Sequence, residues 1–314
     1  MPAIRAAGGE VVALGSRDLE RGRACAAELG IPTALPGYEA VLEAELDCVY
    51  LPLPNSLHLP WAVRALRAGK HVLCEKPLAL TANEALAMEA EANARHLVLA
   101  EAVMYRYHPR WEQVLNLLGA GAIGEPRHVA GSFAFTLAPG DDYRWRPELG
   151  GGALYDVGSY LVSASRQVFA REPQAVLARA AVQAGVDVRC DLLLDFGEGG
   201  SAALGCAFDR GESQWLRVEG ADGSLLVPLP FTAWTGQRVS LYLGRSPRGP
   251  LEAVEAPAAD PYQLMAARFM EGVRAQRHPL TSPTEGVANL MVLDACRQSL
   301  ARGAAVEITQ PPSA

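Results

Sequence analysis

Through the first hundred residues, short apolar runs alternate with longer segments of helical period. Residues 11–14, 48–51, 72–74 and 97–100 are apolar runs too short for helices, and they read as strands buried on both faces. Residues 19–29, 38–46, 60–68 and 82–94 repeat apolar side chains at helical spacing. Asp18 and Thr81 stand where helix N-caps are needed, and Gly30 stands where a helix exits. This alternation predicts a parallel, doubly wound sheet.

The pattern then changes. A helix is expected over 110–118, Gly124-Glu125-Pro126 interrupts it, and the period drops to two over 127–137. Residues 176–182, 186–196, 201–208, 214–219, 224–227 and 239–243 follow as strands, with glycine turns at 197–200 and 221–223. Two helices close the chain at 263–274 and 284–301. The expected fold class is α/β: a Rossmann-like parallel sheet over residues 1–104, then an α+β domain over 105–314. The second domain is built on a large, mainly antiparallel open sheet, and its C-terminal helix packs back toward the first. One broad sheet face is left for a partner subunit, which predicts a homodimer or homotetramer.

The first part lacks an element. A dinucleotide-binding unit opens with a strand, a glycine-rich turn and a helix whose N-terminus receives the pyrophosphate. Residues 2–7 read as the tail of such a helix, with Gly8-Gly9 as its exit. The expectation is an incomplete, N-terminally truncated sheet, through a misassigned start or a real loss.

Composition narrows the function classes. At 314 residues, half of them hydrophobic, the chain can bury a large core. A net charge of −7 without basic runs argues against nucleic acid or an anionic membrane as partner. Neither a stretch of membrane-spanning length nor a signal-peptide core is visible. The six cysteines include no CxxC pair, which suits free thiols in a reducing cytoplasm. No His/Cys/carboxylate cluster has metal-site spacing, so no metal is expected, and His71, His96 and His278 read as solvated.

Candidate chemistry gathers at three places. Lys76 follows the apolar run Val72-Leu73-Cys74 and precedes Pro77, which puts it at the carboxyl end of a buried strand. Open α/β sheets bind ligands there, although a surface lysine has the same appearance. Gly150-Gly151-Gly152 lets the backbone approach a ligand, and a helix starts beyond it. Asp156 and Tyr160, four apart, share one face of that helix. Carbinol oxidation needs a group to take the hydroxyl proton; Tyr160 can serve if a cation lowers its pKa, and Lys76 is the candidate. Asp156 can accept from a sugar hydroxyl or hold Lys76; the plain alternative is a structural i,i+4 pair. Finally, Ser16-Arg17 after the first strand offers a hydroxyl and a guanidinium suited to a 2′-phosphate. That predicts NADP over NAD, against the alternative of an incidental surface turn. Trp145 can stack on a sugar ring or fill a seam, and His108 can line a cleft or pack.

Together, the segments Lys70–Pro77, Leu51–His58 and Gly150–Tyr160 resemble the glucose-fructose oxidoreductase / inositol dehydrogenase (Gfo/Idh/MocA) family over nearly the whole chain. The segment Glu101–Pro109 is similar to its branch of NADP-dependent aldose dehydrogenases. The resemblance implies a catalytic lysine at Lys76 before a cis proline, an acid/base tyrosine at Tyr160, and Asp156 on the reacting sugar. It also implies a cofactor-facing loop from Leu51 through Pro52 to Asn55, with His58 close by. Glu75 flanks the nicotinamide ribose in this reading, and Arg106, Trp145 and Arg146 approach cofactor or substrate. The missing first strand and glycine turn depart from the family pattern and bear on cofactor affinity. The expected activity is hydride transfer between NADP and a sugar or polyol carbinol. The competing expectation is a non-catalytic homologue that binds sugar or a partner.

Overall fold

The parallel strands of the first hundred residues form, but in two separate pieces. The computed structural model describes residues 1–232, 238–245 and 249–309. Helix α1 (Pro2–Ala6) precedes β1 (Ala13–Ser16), α2 (Leu19–Leu29), β2 (Thr33–Pro36) and α3 (Glu39–Glu43). Then come β3 (Cys48–Leu51), α4 (His58–Arg67), β4 (His71–Glu75), α5 (Ala82–Ala94) and β5 (Leu99–Ala102). β1 pairs in parallel with β2 alone, while β3, β4 and β5 form a separate parallel sheet in that order. Among the described residues no strand joins β1 to β3. A cleft of about 940 Å³ lies between them, lined by Leu14 and Gly15 from one piece and Val49 and Leu51 from the other.

Local signals account for these elements. The Asp18 carboxylate accepts the Arg21 N–H, the Thr81 hydroxyl accepts the Glu84 N–H, and Gly30 ends α2 in the left-handed region at φ 61°. Each cap satisfies a donor or carbonyl that a helix end would otherwise leave open. Two expectations shift. Strand β2 was invisible in the pattern because Thr33-Ala34-Leu35-Pro36 offers little apolar alternation, and it forms by pairing with β1. The helix expected over 38–46 shrinks to five residues because Ala44 turns extended, at ψ 154°.

After α6 (Pro109–Gly119), β6 (Pro126–Thr136) and α7 (Ser159–Phe169) the second sheet is completed. Its strands are β7 (Ala175–Gln183), β8 (Val186–Gly197), β9 (Gly200–Ala207), β10 (Asp209–Gly220) and β11 (Ser224–Pro228), then β12 (Leu241–Gly244), β13 (Glu252–Val254) and β14 (Val306–Glu307). The nine strands lie in the order β13-β12-β11-β10-β6-β9-β8-β7-β14, antiparallel except where β6 meets β9. Strict alternation along β8 buries Cys190, Leu192, Leu194 and Phe196 and turns Arg189, Asp191 and Leu193 outward. Helices α7 and α9 (Pro283–Arg302) cover the inner face. Each fully buried Leu or Phe there contributes about 1.5–3 kcal/mol.

Helix α9 also packs on α5, where Asp294 accepts the Ala82 N–H at 2.9 Å. Helix α8 (Pro261–Ala275) lies against α1. Both closing helices therefore contact elements of the first hundred residues. No helix among the described residues is long and apolar enough to cross a membrane.

The facing edges of β1 and β3 leave backbone groups without strand partners, a costly arrangement. Adding an N-terminal apolar strand and glycine turn, sized for the cleft, should raise the thermal midpoint by roughly 5 °C or more. Equal midpoints for the two forms would refute the idea that this gap weakens the fold.

Candidate active site

β4 is buried on both faces between β3 and β5, with Val72 and Cys74 fully covered, so its carboxyl end is rigid. Lys76 emerges there, joined to Pro77 by a cis peptide. Its side chain is 13% exposed, and its Nζ donates to the Asp156 Oδ1 at 2.8 Å and to the Asp156 main-chain oxygen at 2.6 Å. The second carboxylate oxygen of Asp156 accepts from Arg144 Nε at 2.8 Å. Asp142 in turn holds Arg144. Burial draws the Lys76 pKa down, but Asp156 outweighs it, so the ammonium stays protonated beyond its ordinary range. For Asp156, burial pushes upward while Lys76 and Arg144 prevail, keeping the carboxylate ionised.

The three glycines serve a different purpose from the one expected. A Cβ on Gly150 would meet Leu80 and Asn55 side chains at 2.4 and 2.9 Å, and one on Gly151 the Arg144 carbonyl at 2.5 Å. Gly152, at φ 115°, would collide with Asp187 Oδ1 at 2.1 Å. The close approach is thus to the protein itself rather than to a ligand. Asp187 accepts the Leu154 N–H at 2.7 Å, so the helix N-terminus already holds a carboxylate. Asp156 lies in the π-type turn Leu154–Gly158 that begins this helix.

A cavity of about 260 Å³ opens over Lys76, walled by Tyr50, Pro52, Leu53, Pro54, Asn55 and Glu75 from the first sheet and by Tyr143, Arg144 and Asp156 from the second part. Asn55 is buried and donates to the Gly150 carbonyl at 2.8 Å, which ties the two sides together. Tyr50 donates to Glu75 Oε1 at 2.6 Å. Leu51 is buried beneath the loop. His58 is completely buried and bridges the Pro77 and Leu53 carbonyls at 2.8 and 2.7 Å, with burial lowering its pKa. It fixes the walls without lining the cavity. Ser16, next in sequence to Gly15 of the larger cleft, ends β1, and Arg17 follows it; the Ser16 hydroxyl donates to the Asp18 carbonyl, and Arg17 is exposed.

Several expected contacts are absent. The Tyr160 hydroxyl donates to Met104 Sδ at 3.5 Å, while Lys76 Nζ sits 4.9 Å from the ring centroid, over its face. Burial pushes the phenol well above its ordinary value, the opposite of the lowering expected from Lys76. The reason is its seat in an aromatic cluster with Tyr105, Phe133 and Phe231. Trp145 fills a seam against Val186 and Val188 and donates to the Ala138 carbonyl. Arg106 is buried away from the cavity in bonds to Glu285 and Gln167. Arg146 is exposed, 3.6 Å from Asp141. His108 caps α6 by accepting the Arg110 N–H. His71 and His278 are half-buried partners of Val98 and Leu99 backbone groups, so only His96 is fully solvated.

Sequence reading missed Tyr50, Tyr143 and Arg144. Arg144 stood between the residues chosen in Tyr143-Arg144-Trp145-Arg146, and alternation gives no hint of which side chain in an irregular loop turns inward. Two carboxylates were missed as well: buried Glu101 on β5, raised by burial to about 7, and half-buried Asp187, raised by desolvation to about 6.

A model of the oxidoreductase family's NAD-binding Rossmann fold matches residues 2–103, and one of the GFO/IDH/MocA C-terminal domain matches residues 111–226. The chain belongs to the Gfo/Idh/MocA oxidoreductase family. Within this family it is 38% identical over 312 residues to D-xylose 1-dehydrogenase (NADP(+)) 2 of Haloferax volcanii, covering 98% of this chain and 95% of that one. Its structure matches KijD10, a 3-ketoreductase from Actinomadura kijaniata in complex with NADP and TDP-benzene, with TM-score 0.88 and 31% identity over 95% of this chain and 93% of that one. It also matches aldose-aldose oxidoreductase from Caulobacter crescentus complexed with glycerol, with TM-score 0.88 and 27% identity over 98% and 94% of the two chains.

Glu101 supplies a prediction about pH. Its folded-state pKa of about 7 lies above the ordinary 4.5, so its contribution to stability is present below about pH 4.5 and lost as pH rises through 7. Glu101→Gln removes that loss. The thermal midpoint of the variant relative to the original should rise between pH 5 and pH 8, and a constant difference across that range would contradict the assignment.

Proposed function

We propose that this Gfo/Idh/MocA protein is an NADP-dependent oxidoreductase that exchanges hydride with a carbinol of a sugar or polyol, an aldose in the first instance. The observation that carries the reading is the Lys76 ammonium, set at the carboxyl end of a Rossmann-type strand and held by Asp156 at a small cavity of mixed polar and apolar walls. The aldose assignment draws on the similarity to D-xylose 1-dehydrogenase and aldose-aldose oxidoreductase.

The residues present fit the two ends of a nicotinamide dinucleotide. Tyr50, Pro52 and Leu53 line both the cavity at Lys76 and the larger cleft, and Gly15, next to Ser16, lines that cleft too. Asn55 and Glu75 would hold the nicotinamide ribose, and Ser16 with Arg17 the 2′-phosphate. Among the described residues no glycine turn on a helix N-terminus is present for the pyrophosphate, so affinity rests on the two ends. When bound, NADP supplies the hydride acceptor.

Lys76 hydrogen-bonds the substrate oxygen and manages its proton. In the reducing direction it gives a proton to the oxygen of the new carbinol. In the oxidising direction the amine must be neutral to take that proton. Against the pull of burial, Asp156 raises the Lys76 pKa above its ordinary value, so only strongly alkaline pH supplies that form and the site favours the reducing direction. Asp156 and Arg144 hold the amine in place, and the Tyr160 ring lies under it. The open face carrying Leu193 and Trp215 is assigned to a second copy of this chain, in a dimer or tetramer. The boundary between cofactor and substrate domains is placed near residue 104. All six cysteines are free, which accords with a reducing cytoplasm.

Titration with NADPH, followed by nicotinamide fluorescence, should show tighter binding than NADH; binding of neither would favour a non-catalytic homologue. Lys76→Ala should cut aldose turnover by about 100-fold or more, with NADPH binding retained. Asp156 keeps Arg144 as a partner in that variant, so the fold survives. An active alanine variant rejects the role.

Tyr160→Phe discriminates further. With the hydroxyl on Met104, turnover should fall by less than about 10-fold. A loss equal to that of Lys76→Ala would mean that the hydroxyl turns to the substrate during the reaction.

A further inference from the structure

We propose that Glu101 is a positioning residue for Lys76, locking the turn that aims the ammonium; the functional part of this inference rests on the reading above. Glu101 lies on β5, the strand beside β4, in register with Cys74. Its side chain is buried, and its Oε1 accepts the Leu78 N–H at 2.9 Å. Leu78 is two residues beyond Lys76, so this bond fixes the backbone of the turn while Asp156 holds the ammonium at its tip.

Glu101 is itself held at both ends of its peptide unit. Its N–H donates to the Thr281 carbonyl at 3.0 Å, and its carbonyl accepts the Thr281 hydroxyl at 2.6 Å. Thr281 is almost wholly buried and precedes α9. A Cβ on Gly286 would lie 3.2 Å from Glu101 Oε2, so the start of α9 closes over the carboxylate. The chain thus places an expensive group, a buried carboxyl, against a backbone N–H that a solvent-exposed turn would leave to water.

The surroundings are charged on every side. Arg106 from the turn at 104–107, Arg166 from α7 and Lys76 from the turn itself favour the anion, while Cys74 on β4 and Tyr160 on α7 are made harder to ionise by it. Burial outweighs the cations and brings the carboxyl to titrate near neutrality. Both protonation states can accept the Leu78 N–H, but only the anion adds charge attraction to it and to Lys76. An acid-side fall in turnover centred near pH 7 follows.

Two variants test the assignment. Glu101→Leu removes the acceptor and should lower aldose turnover by about 10- to 100-fold, since small displacements of a catalytic group cost that much. NADPH affinity should change by less than about threefold. Glu101→Gln keeps an oxygen for the Leu78 N–H, so it should restore most of the turnover and flatten the pH profile near 7. Unchanged turnover in the leucine variant overturns the proposal, as does a glutamine variant no better than leucine.

A measurement on the substrate-free protein separates this inference from the functional reading. The Leu78 amide should exchange with deuterium slowly in the original and in Glu101→Gln, and at least about tenfold faster in Glu101→Leu. If no aldose is turned over but this pattern holds, the substrate reading fails and the positioning role stands. If the Leu78 amide exchanges freely in the original protein, or if all three forms exchange alike, the positioning role fails whatever the activity. Should the leucine variant not fold, the original's Leu78 protection and the glutamine variant's pH profile still decide.

Discussion

The bond between Lys76 and Asp156 is the point on which the two halves of the molecule converge. Each partner is delivered by a different sheet system, one at the end of β4 and the other in the first turn of the helix that becomes α7. A lone lysine this deep would shed its proton, and a lone aspartate would take one up. Together with Arg144 they remain ionised, and the cavity above them acquires a fixed cation. The pair is therefore a device for keeping charge where the chemistry needs it more than a source of stability.

Everything around that pair limits its freedom. Asn55 reaches from the loop after β3 to the Gly150 carbonyl, His58 spans the Leu53 and Pro77 carbonyls, and Asp187 caps the helix that carries Asp156. The contacts are short, buried and mostly to backbone, so they set geometry without competing for substrate. The glycines at 150–152 belong to this scaffold. Each faces a neighbouring group that a side chain would displace.

Much of this was legible in the sequence, and the limits have physical causes. Strand β4 could be placed because a short apolar run reads as a buried strand, which puts Lys76 at its carboxyl end; that its side chain turns inward depends on Asp156, far along the chain. The caps at Asp18 and Thr81 were visible because capping is local chemistry. The alternation of β8 announced which of its side chains face inward. Tyr160 was on the expected helix, yet the direction of its hydroxyl depends on Met104 and an aromatic cluster assembled from distant segments. Trp145, Arg106 and Arg146 stand away from the cavity for the same reason. Loop side chains take their partners from tertiary packing, which leaves no period to read. Glu101 and Asp187 were missed because a carboxylate on a strand looks solvated until its neighbours are known.

The last segment of the chain has a bearing on how the molecule is made. Thr281 grips Glu101, and Asp294 caps the start of α5. Two supports of the first sheet are thus supplied by residues about 180 and 212 positions downstream. A nascent chain emerging from the ribosome would have its catalytic strand long before these supports exist. Such distant closures are slow, and partly assembled sheets expose edges to other chains meanwhile. The working site is consequently among the last features to mature, and truncation near the C-terminus would be felt first at the opposite end of the polypeptide.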